Sequence, residues 1–303
     1  MQFLATTSQL VCISPVCPPD PPVRTYADPI RIGSKVWRSH VSASVEQPRT
    51  ATALSIRDLR KAFGTKHAVD GIDLDIPHGC FFGLVGPNGA GKTTTLSMVT
   101  GLLRPDAGTV AIDGLDVWHS PSDAKRRIGV LPEDLRLFDR LSGQELLTYN
   151  GLLRGMPAEV VADRSRELLE VLDLQGSAGT LVVDYSHGMR KKIALAAALL
   201  HNPRILFLDE PFEAIDPVSA RTIRSLLERY TAGGATVVFS SHVMELVERL
   251  CDRVGIMHQG RLIAEGPIEA VRGGRSLEDA FVELVGAGAA DAKELGWLGT
   301  SPA

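Results

Sequence analysis

The sequence predicts an α/β fold: a P-loop core with an antiparallel β subdomain and an all-helical insert. Three observations predict it. Gly86-Pro87-Asn88-Gly89-Ala90-Gly91-Lys92-Thr93-Thr94 satisfies G-x-x-x-x-G-K-[ST] and stands between an apolar, strand-like run and a helix-like one. Short, continuously apolar runs then alternate with helical periodicity, as buried parallel strands flanked by helices do. Before them lies a β-rich stretch of alternating apolar and polar residues, and between the two lies a segment with helical spacing only.

Taken in order, residues 1–52 hold seven of the 18 prolines, including Pro18-Pro19 and Pro21-Pro22, and show little periodicity. They are expected to form a disordered, Pro-rich tail, either a functional arm or an extension from an upstream start codon. The folded body is expected over 53–285. Strands are expected at 54–63, 69–76, 80–85 and 108–113, with a helix from Lys92 to Thr100 leaving the loop. The helical insert spans about 134–186. Pro157 sits where a helix can begin, and Val161, Leu168 and Leu172 follow at helical spacing. Strands at 204–208, 235–240, 253–257 and 261–265 alternate with helices at 193–200, 218–230 and 244–250. A last amphipathic helix at 277–285 precedes a flexible tail, 286–303. No internal repeat is evident, so one nucleotide-binding module is expected.

Composition narrows the classes. With 303 residues, 44% hydrophobic content and a formal charge of −4, the chain carries a substantial core and no basic footprint for nucleic acid. The longest apolar run in the body, Ile193 to Leu200, is far short of the ~20 residues that span a bilayer. Cys80 and Cys251 lie in apolar segments without metal-ligand spacing, and Cys12 and Cys17 lie in the tail. Reduced thiols in a cytoplasmic setting are expected.

The chemistry begins at the loop. Gly86, Gly89 and Gly91 let the backbone aim several N–H groups at one oxyanion, Lys92 adds a mobile charge, and the Thr93 hydroxyl can ligate Mg²⁺. The following helix points its positive end at the phosphates. A second element, Ile205-Leu206-Phe207-Leu208-Asp209-Glu210-Pro211, delivers two carboxylates at the C-terminal end of a strand, where open α/β sheets place ligands. Asp209 is positioned to hold Mg²⁺, and Glu210 to polarise an attacking water. The third, Ser240-Ser241-His242, ends another apolar strand and can bring an imidazole to the γ-phosphate. The fourth, Tyr185-Ser186-His187-Gly188-Met189, opens an apolar helix. Its hydroxyl, backbone amide and helix dipole favour an anion, although Ser186 alone is also an ordinary cap.

In this order and at these spacings, the four elements resemble the nucleotide-binding domain of ATP-binding-cassette (ABC) proteins over about residues 54–285. The resemblance is to the separately encoded ATPase subunits of multidrug-type exporters, whose signatures often read Tyr-Ser-x-Gly-Met. It implies the ABC ATPase fold and further roles. Phe63 matches the aromatic that stacks on adenine, where Tyr is commoner. Glu133 stands at the Q-loop position, and Ala214-Ile215-Asp216-Pro217 matches the D-loop. Two domains sandwich ATP head-to-tail in this family, so Ser186 and Gly188 would serve the partner copy's P-loop. His187 and Met189 depart from the commonest signature, Glu133 replaces Gln and Ala214 replaces Gly, yet every group the chemistry requires is retained.

The resemblance thus implies an ATPase. Gly86, Pro87, Asn88, Gly89, Ala90, Gly91, Lys92, Thr93 and Thr94 would cradle the phosphates, with Phe63, Glu133, Ser186, Gly188 and Asp216 completing the nucleotide site. Thr93, Asp209 and Glu133 would hold Mg²⁺, while Glu210, His242 and Lys92 would act on the γ-phosphate and the attacking water. Expected partners are a separate transmembrane permease and a second copy of the chain, or a paired subunit, with no nucleic acid. The expected location is the cytoplasmic face of the cell membrane. The permease is expected in the groove near 133–141, where Leu135, Leu137 and Phe138 alternate with charges, unless those three pack inside the insert. Two rivals remain: a soluble ATP-driven switch in assembly, repair or translation, and a nucleotide-binding scaffold without turnover. Translation-type cassettes generally pair two cassettes through a charged linker, and repair-type cassettes carry coiled-coil or zinc insertions; neither pattern is present. Retention of Glu210 and His242 disfavours the scaffold.

Overall fold

The computed structural model describes residues 24–25, 52–213 and 215–286. In chain order these form β1 (Arg24–Thr25), β2 (Thr52–Phe63), β3 (Lys66–Pro77), β4 (Phe81–Val85), α1 (Lys92–Val99), β5 (Ala107–Ile112) and β6 (Leu115–Asp116). There follow α2 (Pro121–Arg127), β7 (Ile128–Leu131), α3 (Gly143–Leu153), α4 (Ala158–Val171) and α5 (His187–Leu199). The remainder is β8 (Ile205–Asp209), α6 (Pro217–Ala232), β9 (Thr236–Ser241), α7 (Met244–Leu250), β10 (Arg253–His258), β11 (Arg261–Pro267), α8 (Ile268–Arg272) and α9 (Leu277–Val285). Most expected elements occur with shifted ends. The first turn of α5 is polar, so the helix starts six residues before the apolar run that marks it in the sequence. The short elements β6, α2, β7 and α8 lie beyond what the sequence predicted.

The elements assemble two sheets. The larger runs β1-β11-β10-β4-β9-β8-β7, and the smaller, antiparallel sheet runs β3-β2-β5-β6. Within the larger sheet β10, β4, β9, β8 and β7 are mutually parallel, while β11 and β1 add antiparallel edges. The parallel strands are apolar on both faces because both faces are covered. Phe81 and Val85 of β4 join Leu206, Leu208 and Phe239 in a core under α3–α7 and α9. Phe82 and Leu84 point the other way, with Phe207 and Val238, into a second core shared with α1 and the antiparallel sheet.

The tail expectations for 1–52 and 286–303 lie outside the described residues except at Arg24, Thr25, Thr52 and Gly286. Arg24 and Thr25 pair with Glu265 and Ala264, a sheet-edge contact the sequence did not predict. The insert is built from α3 and α4, and 134–142 approaches it without helix. Helix α3 opens with a reciprocal cap: Ser142 Oγ accepts from Glu145 N–H, and the Glu145 carboxylate accepts from Ser142 N–H at 2.8 Å. Cys80 and Cys251 are buried thiols, as expected.

Candidate nucleotide site

Neighbouring strands bring the predicted elements together. In the order β4-β9-β8-β7, successive C-terminal ends carry the P-loop, His242, Asp209-Glu210 and Glu133. The site therefore stands on the edge where parallel sheets bind ligands.

The loop depends on two glycines for different reasons. A Cβ on Gly86 would lie 2.3 Å from the Met257 carbonyl oxygen, so only glycine permits that approach. Gly91 has φ +105°, and a Cβ there would meet the Ala68 carbonyl at 2.4 Å. The loop closes through Ala90 N–H donating to Pro87 O at 3.1 Å, and α1 starts at Lys92. Lys92 Nζ donates to Gly86 O at 2.8 Å and lies 3.9 Å from Glu210 Oε1. Burial lowers the pKa of its ammonium, against the pull of Glu210, Asp209 and Glu133.

Beside the loop lies a cavity of about 340 Å³. Asn88, Gly89, Gly91, Lys92, Thr93 and Thr94 of the loop and its helix line it, together with Phe63, Lys66, Ala68, Glu133 and Glu210. Phe63 is 54% exposed, with Lys61 Nζ 5.8 Å from its ring centroid, so an aromatic face is presented at the rim. Lys66 was not singled out in the sequence because it belongs to no motif.

Opposite the loop, Asp209 and Glu210 are both buried. Ser240 Oγ donates to Asp209 Oδ1 and accepts from Glu210 N–H at 3.1 Å. One hydroxyl thus fixes both acids, a role legible only once β8 and β9 are paired. Burial raises the Asp209 pKa, and Glu133 and Glu210 add to the rise against hydrogen bonds from Ser240 and Thr93. Thr93 Oγ1 donates to Glu133 Oε2 at 3.2 Å. Glu210 adopts a left-handed backbone, φ +46°, which is strained for a residue with a Cβ. Its Oε1 lies 3.0 Å from His242 Nδ1. The structure therefore brings Lys92, Thr93, Glu133, Asp209, Glu210 and His242 to one place.

Ser186, Gly188 and Asp216 lie apart from that cavity lining. Ser186 caps α5, its Oγ accepting from Met189 N–H at 3.3 Å, and Gly188 lies in the same first turn. Asp216 caps α6, accepting from Val218 N–H at 3.1 Å and Ser219 N–H at 2.9 Å. The Ser219 hydroxyl, then these backbone bonds, lower its pKa. Ala214 of the same expected loop lies outside the described residues.

Comparisons with known sequences and structures find the following similarities. The family described as ABC transporter matches residues 69–213. The linearmycin resistance ATP-binding protein LnrL of Bacillus subtilis (strain 168) is 39% identical over 213 residues, 70% of this chain and 68% of that protein. The daunorubicin resistance ATP-binding protein DrrA3 of Streptomyces coeruleorubidus is 37% identical over 79% of this chain and 77% of its own length. A Nod factor export ATP-binding protein I of Burkholderia lata is 38% identical over 72% of each chain. Among solved structures, an ATP-binding subunit of an ABC transporter superposes with a TM-score of 0.73 at 28% identity, covering 77% of this chain and all of that one.

Proposed function

The chain belongs to the ABC transporter family, and we propose on that premise that it is the ATP-hydrolysing subunit of an exporter whose permease is a separate chain. The observation that carries the proposal is the approach of Glu210 Oε1 to within 3.0 Å of His242 Nδ1 and 3.9 Å of Lys92 Nζ at the mouth of the P-loop cavity. A carboxylate held beside an imidazole and an ammonium can polarise water on one side of a γ-phosphate while cations neutralise the other.

ATP binds with its base on Phe63 and its phosphates on the loop amides and Lys92. Glu210 accepts the water proton during in-line attack, and His242 supports the γ-phosphate. The donor set fits Mg²⁺. Thr93 supplies a hydroxyl, and Asp209 and Glu133 supply carboxylates, all hard oxygen donors. Among the described residues no three acidic, His or Cys side chains form a metal cage by themselves. That suits an ion completed by phosphate oxygens and water. Bound there, Mg²⁺ would supply positive charge to offset that of the phosphates.

The N-terminus of α5 carries an exposed Ser186 and a half-buried Gly188, neither of which lines the chain's own cavity, and we assign it to the cavity of a second copy. No helix among the described residues is long and apolar enough to cross a membrane. On this reading the subunit reaches the cytoplasmic face of the membrane through its permease. The docking surface we favour is narrower than the sequence suggests. Leu135 and Leu137 pack against the core. Phe138 is 54% exposed, edge-on to Tyr149 at 5.1 Å, with Leu153 exposed on the same helix, α3. Asp139 is unsuitable for testing docking, because it accepts from Arg190 at 2.8 Å inside the subunit. Arg136→Glu with Phe138→Asp is expected to abolish co-purification with the permease while ATP binding by the isolated subunit persists. Unchanged co-purification would move the docking surface elsewhere.

The catalytic assignment is tested by Glu210→Gln, which keeps shape and removes charge. Turnover should fall by at least ~100-fold, ATP binding should persist, and an ATP-held dimer should accumulate. Near-normal hydrolysis by the purified variant would refute Glu210 as the base. A soluble switch is the weaker reading, since the relatives cited above are named for resistance and export.

A further inference from the structure

The strained turn at Glu210 has two side-chain anchors, and only one belongs to a catalytic strand. Ser240 holds the Glu210 N–H. The Glu210 carbonyl accepts from Lys191 Nζ at 2.7 Å, and the same ammonium donates to Glu213 O at 2.7 Å. The backbone closure from Glu213 N–H to Glu210 O is long at 3.3 Å. Lys191 is 2% exposed, and the nearest carboxylate oxygen, Glu213 Oε2, is 3.9 Å away on a side chain 52% exposed.

Burying an ammonium is costly unless its protons find acceptors. A methionine would fill the same buried position without that cost, so packing alone does not account for a lysine here. Two short bonds to carbonyls three residues apart in one turn do account for it. A left-handed glutamate reverts to ordinary backbone geometry unless its peptide groups are held, and reversion would swing the carboxylate away from His242. Lys191 also stands in α5, five residues after the cap Ser186. A helix transmits displacement along its length, so the turn that aims Glu210 is tied to the exposed helix end.

We propose that Lys191 is a positioning residue for hydrolysis: it holds the Glu210 turn in register and links it mechanically to the N-terminus of α5. The proposal rests on the reading of Glu210 as the base. Its consequence for an assembled dimer is directional. A phosphate gripped at Ser186 of one copy acts, through Lys191, on the carboxylate serving that copy's own nucleotide, so the two composite sites report on each other.

The test uses the purified full chain with Lys191→Met, Lys191→Arg and Lys191→Gln, and Glu210→Gln in parallel. Lys191→Met should lower kcat by about tenfold or more, with KM and equilibrium ATP affinity within about twofold of wild type, because the nucleotide contacts are untouched. Lys191→Arg, which can still bridge two carbonyls, should recover kcat to within about threefold. If Lys191→Met does not fold, Lys191→Gln, which can reach at most one carbonyl, should give an intermediate kcat at unchanged KM. Wild-type kcat in whichever of these two folds overturns the proposal. So does a joint loss of kcat and ATP affinity that Arg does not restore, which is what general destabilisation produces. If Glu210→Gln retains turnover, the base assignment falls and the Lys191 proposal with it. If Glu210→Gln is inactive and Lys191→Met is normal, only the Lys191 proposal falls.

Discussion

Acid should loosen this protein at His201, just past the end of α5. His201 Nε2 approaches the Ile128 carbonyl to 2.9 Å, which requires the proton on Nε2 and leaves Nδ1 bare. Nδ1 is buried and has no hydrogen-bond partner. Protonating it would place a cation in a desolvated position beside Arg154 and Arg164. Burial, then the Arg154 charge, pushes the pKa down to about 4, against the pull of the Ile128 bond. The folded pKa is depressed, so this contribution is fully present above the unfolded value of 6.5 and is lost as pH falls toward 4. At ~1.4 kcal/mol per pH unit the interval is worth about 3 kcal/mol, and the partly open ring reduces that to ~1–3 kcal/mol. His201→Gln keeps a donor for Ile128 O and cannot be protonated. The assay is urea unfolding of both proteins at pH 7.5 and 4.5, comparing differences so that carboxylates titrating in the same window cancel. The variant should gain ~1–3 kcal/mol on wild type between the two pH values. An identical pH dependence in the two proteins would refute the reasoning.

Two further outcomes follow from the site. Burial and two neighbouring carboxylates raise the Asp209 pKa, so its stabilising contribution is present at low pH and lost as pH rises through the folded value. Asp209→Asn should therefore raise Tm at pH 8 without divalent cation, by ~2–4 °C for each kcal/mol recovered, while abolishing MgATP hydrolysis. A lower Tm than wild type would contradict the assigned direction. Gly91→Ala must place a Cβ on a φ of +105° and 2.4 Å from Ala68 O. It should cost at least ~2 kcal/mol in thermal or urea unfolding and weaken nucleotide binding, and wild-type values for both would mean that the loop relaxes freely.

What the sequence disclosed depended on whether a signal was local. Ile205–Asp209 was legible because burial on both faces writes a continuous apolar run, and the P-loop because its chemistry fixes residue types at fixed spacing. Ile128–Leu131 was missed as a strand, partly because Gly129 reads as a breaker. The glycine is there instead because a Cβ would lie 2.2 Å from the Ala198 carbonyl, so it records how closely α5 lies against β7. Helices α2 and α8 are too short for periodicity to declare them. The motif residues met in space as their order implied, but the groups that hold them did not announce themselves. Ser240 and Lys191 act on partners 31 and 19 residues away, and only strand pairing and helix packing bring them close. Arg190 and Asp139 meet across 51 residues, which turned an apparent surface charge into an internal tie.

Those ties share one element. Near its N-terminus α5 donates through Lys191 to the Glu210 carbonyl, just after β8. Just past its C-terminus, His201 bonds to Ile128, where β7 begins. Strand β7 leads at its other end to Glu133, and β8 carries Asp209 into Glu210. The helix is therefore fastened at both ends to the two strands that deliver every carboxylate of the site, and Gly129 lets it lie close between those fastenings. A helix held this way cannot slide along the sheet without straining one tie or the other. On the proposed coupling, a push at Ser186 would appear either as a rotation of the Glu210 turn or as a shift of the strand leading to Glu133. Both routes end at carboxylates close to the Thr93 hydroxyl and the Lys92 ammonium, so on this proposal α5 is the element that joins an exposed helix end to the buried edge holding the site.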